Sequence, residues 1–189
     1  IQPTVEVVKN RSEQYEAHLD FPVNKSVILT DFMNNHAELV NIHAMFDKIQ
    51  NDRNLTVKGI SIKGFASPEG PLTFNEQLSK KRAEALKDYL VKNEKVPSKL
   101  YKVTFSGENW DGLVKALQSS SMKEKETFLN IIKNTTDDAK RKQEIMRVGG
   151  GAPYRSMLKE IYPGLRKVNC KIDYTVANFD VEQGRVVIK

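Results

Sequence analysis

The chain has 189 residues, with 30 Lys and Arg against 24 Asp and Glu, a formal net charge of +6, and 39% hydrophobic residues. That suffices for a packed core, and the longest apolar runs fall far short of the roughly 20 residues a membrane helix needs. Basic residues are interspersed with acidic ones, as in Lys123-Glu124-Lys125-Glu126, and no arginine-rich arm is present, which argues against nucleic acid as a partner.

Residues 15–21 alternate, with Tyr15, Ala17, Leu19 and Phe21 on one face and Glu16, His18 and Asp20 on the other. This is the pattern of a half-buried strand, and Pro22 ends it. Residues 1–14, which include Val5, Val7 and Val8, are expected to be an extension, either an extra strand or a linker. No signal peptide is visible and the chain starts at Ile1, as expected of a trimmed chain. Leu39, Ile42, Phe46 and Ile49 predict a helix over 34–50. Residues 55–65 are strand-like, but the apolar phase shifts from Leu55 and Val57 to Ile60 and Ile62 across Gly59. That shift marks a bulge or a boundary between two short strands.

A glycine-bounded loop, Gly64 to Gly70, leads into a helix over 73–93. Pro97 breaks the chain, and Tyr101, Val103 and Phe105 alternate with Lys102, Thr104 and Ser106 as the next strand. Residues 110–164 read as a helical insertion, with helices at 110–118, 122–133, 137–147 and 153–161. Asp137 and Asp138 suit a helix start, and Gly149-Gly150-Gly151 a flexible break. Trp110 is expected to anchor the insertion to the core. Val168, Cys170, Ile172, Tyr174 and Val176 form the last strand, and 178–189 a C-terminal extension. Each strand offers a single apolar face, so the expected fold is an α/β (α+β) two-layer sandwich with helices on one side of the sheet.

The helix after the glycine loop has an unusual inner face. At 100° per residue, Leu78, Ala85, Leu86, Tyr89 and Leu90 share an apolar arc with Phe74 at its edge, and the lysines and acids fall opposite. Asn75, Ser79 and Arg82 land inside that arc, Arg82 near its centre. A buried arginine is costly without a partner. Arg82 therefore snorkels to an edge, pairs with a protein carboxylate, or awaits a ligand anion.

No reactive constellation assembles from the remaining residues. His36 and His43 lie two turns apart along one helix, too far to share a metal. Cys170 faces the core as a structural thiol, and as the only cysteine it excludes an intrachain disulfide. No nucleophile triad or acid–base pair forms, so the chain reads as a binding protein without catalytic residues, metal or cofactor.

The run Gly64-Phe65-Ala66-Ser67-Pro68-Glu69-Gly70, then Asn75, Leu78-Ser79, Arg82-Ala83 and Tyr89-Leu90, resembles the signature of the OmpA-like peptidoglycan-binding domain family. Leu19-Asp20-Phe21, Ser106-Gly107-Glu108 and Leu165-Arg166-Lys167-Val168 extend the resemblance over residues 15–109 and 165–177. The Ser-Pro-Glu-Gly variant and the insertion resemble OmpA-family proteins of Bacteroidetes. The resemblance implies a β-α-β-α-β-β core interrupted by the insertion before its last strand. It also implies a periplasmic, outer-membrane-associated protein that binds peptidoglycan non-covalently and anchors to the cell wall, with other envelope proteins as further partners. In the family, a loop aspartate and a helix arginine grip the diaminopimelate residue of the peptide stem.

Carried over, Arg82 takes the ligand carboxylate, Ser67 or Glu69 its ammonium, Asn75 braces the loop and Arg166 lines the rim. Ser67 stands where the family has aspartate. A neutral hydroxyl in place of a carboxylate costs about one to two orders of magnitude in affinity unless Glu69 supplies the charge. The alternative is a protein-interaction module that has lost peptidoglycan binding and uses the insertion as its partner surface.

Overall fold

The computed structural model describes residues 8–179. In chain order it forms β1 (Val8–Asp20), α1 (Asn35–Asn51), β2 (Leu55–Ala66), α2 (Leu72–Asn93), β3 (Tyr101–Glu108), α3 (Trp110–Ser119), α4 (Lys125–Asn134), α5 (Asp138–Arg147), α6 (Ala152–Glu160) and β4 (Lys167–Phe179). The sheet order is β1-β4-β2-β3, with β4 antiparallel to both neighbours and β3 parallel to β2. The fold is the expected mixed α/β class. One core holds Leu19 of β1, Ile42 and Phe46 of α1, Ile60 and Ile62 of β2, Leu86 and Leu90 of α2, and Val168 and Ile172 of β4. The other sheet face carries Glu16, Ser61, Lys63, Thr104, Asn169 and Lys171.

β1 starts at Val8 rather than Tyr15 because it pairs with β4 along its whole length, from Val8 opposite Phe179 to Asp20 opposite Lys167. Residues 9–14 are polar and show no alternation, so main-chain pairing extends the strand where burial does not. Residues 1–7 and 180–189 of the expected extensions lie outside the described residues. At Gly59 one continuous β2 bulges, since its register against β4 shifts between Val57 and Gly59.

Gly64 sets the spacing of the two layers at the loop. A Cβ there would lie 1.9 Å from the Ser79 carbonyl oxygen, so only glycine lets α2 settle this close to β2. The inner face of α2 then buries Asn75, Leu78, Ser79, Arg82, Ala83, Leu86 and Leu90, whereas Phe74 is exposed.

Helices α3 to α6 pack around a second cluster that includes Leu113, Leu117, Phe128, Ile132, Ile145 and Met157, closed by Tyr162 and Leu165. Gly149, Gly150 and Gly151 all have positive φ, and they turn the chain from α5 into α6 in a conformation that L side chains rarely adopt. Asn109 joins the two cores. Its side chain caps α3 by accepting from the Gly112 N–H at 3.0 Å and donates to the Leu165 carbonyl at 3.3 Å. Trp110 sits beside this joint, its ring 4.5 Å from the Arg141 guanidinium carbon.

Candidate functional site

The segment from Ser67 to Pro71 links β2 to α2 and gathers polar side chains from three parts of the chain. Ser67 Oγ donates to Glu69 Oε1 at 3.0 Å. Arg166, on the approach to β4, reaches both: its Nε donates to Ser67 Oγ at 3.2 Å and its Nη2 to Glu69 Oε1 at 2.8 Å. Asn75, in the first turn of α2, donates from Nδ2 to the Glu69 carbonyl at 2.8 Å and to Glu108 Oε2 at 2.7 Å. The five residues singled out by sequence therefore fall into one neighbourhood, but in different roles. Ser67, Glu69 and Arg166 form a closed ring of hydrogen bonds, and Asn75 ties the loop to the end of β3.

Arg82 stands behind this loop with no solvent exposure. Its Nε donates to the Lys25 carbonyl at 2.9 Å, Nη1 to the Phe65 carbonyl at 2.9 Å and Nη2 to the Pro22 carbonyl at 3.1 Å. The guanidinium carbon also lies 5.1 Å from the centre of the Phe21 ring. Among the described residues no carboxylate comes within 4.0 Å of it. Burial, and then the nearby Arg166 charge, bring its pKa down to about 10. Of the three readings open from sequence, snorkelling and carboxylate pairing are not what the fold adopts. Backbone carbonyl dipoles satisfy much of the fork, and among the described residues the positive charge has no carboxylate partner. The turn supplying two of those carbonyls is pinned by Asn35, which accepts from the Asp20 N–H at 2.8 Å and donates to the Asp20 and Leu29 carbonyls at 3.0 and 2.8 Å.

On the opposite side of the loop is a cluster that sequence reasoning missed. Lys142 of α5 is buried, and its Nζ donates to the Gly70 carbonyl at 2.7 Å and forms short contacts with Glu108 Oε2 and Asp138 Oδ2. Trp110 Nε1 donates to the other Glu108 oxygen at 3.2 Å. Burial raises the Glu108 pKa, reinforced by its hydrogen bond with Asp138, against the opposing pull of Lys142 and Asn75. Asp138 moves the other way: burial opposes its ionisation, but hydrogen bonds with Glu108 and Lys142 and the Lys142 and Arg141 charges outweigh it. One signal for this cluster was present in the sequence. Lys142 lies three residues before the buried Ile145 and so shares its inward face, as Arg82 does among the leucines of α2.

The loop crest is open to solvent on both sides. One groove runs past Val23, Asn24 and Phe74, the other past Leu72, Asp138 and Met146. Tyr154 of α6 borders both, held edge-to-face on the buried Tyr162 with ring centroids 5.9 Å apart.

The OmpA family model matches residues 21–143, which covers the turn that cradles Arg82, the loop, α2 and Lys142, but not Arg166. No curated protein matches the chain. Among solved structures, the OmpA-like domain of FopA1 from Francisella tularensis subsp. tularensis SCHU S4 is 16% identical with a TM-score of 0.44, over 94% of this chain and 85% of that one. An outer membrane protein from Borrelia burgdorferi B31 is 14% identical with a TM-score of 0.38, over 93% of this chain and 99% of that one. With the matched stretch running from Phe21 through the loop and α2 into α5, the chain belongs to the OmpA family.

Proposed function

We propose that the chain is a non-enzymatic binding domain for peptidoglycan, holding a peptide stem with a diaminopimelate-type residue. It would anchor an outer-membrane-associated protein to the cell wall from the periplasm. The observation that carries this reading is Arg82, a buried cation with no carboxylate within 4.0 Å among the described residues, directly behind the loop of an OmpA-family domain. A charge left uncompensated in a low-dielectric site attracts an anion strongly. Two of its three carbonyl partners, Pro22 and Lys25, belong to the turn beside the Val23–Phe74 groove. A ligand carboxylate entering that groove reaches Arg82 by displacing this turn. Glu69 offers its Oε2 to the ligand ammonium, Ser67 orients Glu69, Asn75 braces the loop and Arg166 lines the rim.

Sedimentation with purified peptidoglycan and titration with a muropeptide test these roles. Glu69→Gln weakens binding about tenfold by removing a charged hydrogen bond, and unchanged affinity would sink the role of Glu69. Ser67→Asp restores a loop carboxylate and tightens binding by about tenfold or more.

The exposed apolar rim of Val23, Leu72, Phe74 and Met146 favours a second reading, a protein-interaction module of the cell envelope. A pull-down that recovers envelope proteins but no glycan fragments would decide for it.

A further inference from the structure

The insertion does more than decorate the sandwich, because it builds one wall of the candidate site. The crest from Glu69 to Pro71 has a groove on each side, and Glu69, Gly70, Pro71 and Tyr154 border both. The first groove is walled by the turn after β1 and by Phe74. The second is walled by α5, with Met146 and Leu72 as apolar surface and Asp137 and Asp138 as carboxylates. Its width is fixed, since Lys142 clamps α5 to the Gly70 carbonyl and to Glu108 through buried contacts. The crest between the grooves is low: Gly70 is exposed, and beyond its chain neighbours no atom lies within 4 Å of where its Cβ would be.

We propose that the two grooves are adjoining subsites for two peptide stems, so that the preferred ligand is a cross-linked stem pair whose amide link passes over Gly70. This rests on the peptidoglycan reading above. The chemistry of the second groove fits a peptide: the apolar walls receive small aliphatic side chains, and Asp137, whose Oδ2 caps α5 by accepting from the Lys140 N–H at 2.9 Å, turns its other carboxylate oxygen to a peptide N–H or an ammonium, while Asp138 is held by Lys142. Two linked stems on a rigid pair of grooves gain by effective concentration what a single stem cannot.

Isothermal titration of the whole chain with a purified monomeric muropeptide and with its cross-linked dimer tests the proposal. The dimer is expected to bind about tenfold or more tighter than the monomer. Ala139→Arg fills the second groove from the exposed side of α5, and Met146→Glu makes its wall polar. Each should bring the dimer to the affinity of the monomer and leave the monomer unchanged, with the thermal melt confirming that the variants fold. Equal affinities in the wild type overturn the two-subsite proposal while leaving the single-stem reading intact. So does monomer binding that falls as much as dimer binding in both variants. Binding of neither ligand overturns the peptidoglycan reading itself, and the proposal with it.

Discussion

Two cations are buried on opposite sides of one loop, and their surroundings differ in kind. Arg82, in the sandwich, is held by three carbonyl oxygens and the Phe21 ring, with no carboxylate within 4.0 Å among the described residues. Lys142, in the insertion, is held by two carboxylates and one carbonyl. The guanidinium spreads its charge over a planar fork, so several dipoles can cradle it; the compact ammonium needs full counter-charges to leave water. The consequence is functional. The charge of Lys142 is spent on fastening the insertion to the loop, whereas that of Arg82 meets only carbonyl dipoles, the feature on which the proposed anion binding rests.

Removing Arg82 should have the largest effect. Arg82→Ala leaves the Pro22, Lys25 and Phe65 carbonyls unpaired around a cavity, a loss of about 3–5 kcal/mol in chemical denaturation. Arg82→Lys recovers less than half, because one ammonium cannot span three carbonyls in fork geometry. A wild-type midpoint for Arg82→Ala would show that the cradle is not structural.

Lys142→Met should cost somewhat less, about 2–4 kcal/mol near pH 7, since it strands Glu108 and Asp138 beside each other. Here the sign of the pH dependence separates the two cations. In the wild type the raised Glu108 pKa and the lowered Asp138 pKa work in opposite directions on stability. Without the ammonium the Glu108 value, already raised by burial and by its hydrogen bond with Asp138, loses the pull of Lys142 and rises further, so the folded state binds more protons and the variant regains stability as pH falls from about 7 toward 5. Adding Glu108→Gln should recover part of the loss at pH 7. A loss that does not change with pH would mean that Lys142 acts through packing rather than charge.

The smallest expected effect lies away from the loop and serves as a control. His43 Nδ1 sits 2.8 Å from Glu94 Oε1, and that hydrogen bond, with the Glu94 and Asp47 charges, raises its pKa. A raised histidine contributes stability that is fully present below its unfolded value and is lost as pH rises through the folded one. Melting temperature measured from about pH 5 to 8 should show a shallow decline that His43→Gln flattens, with loop variants unaffected.

Much of the fold was legible because it rests on short-range regularities. Period-two alternation marked the strand cores, the 100° repeat marked α2 and its inward polar residues, and the phase change at Gly59 marked the bulge. Over 8–14 the sequence left strand and linker both open, because unbroken pairing with β4 makes the segment a continuation of β1 and no apolar pattern records that pairing. Spacing alone placed Arg82 indoors, but its partners Pro22 and Lys25 lie 60 and 57 residues away. Arg166 reaches Glu69 across 97 residues, and Lys142 reaches Gly70 across 72. Sequence by itself determined the inward face of β1, of β4 and of α2 with its Asn75, Ser79 and Arg82, since that follows from backbone geometry within a turn or two. Only the tertiary structure decided which charges meet, because long-range packing brings distant segments together and, for each buried ion, decides whether dipoles or counter-charges replace the water it has lost.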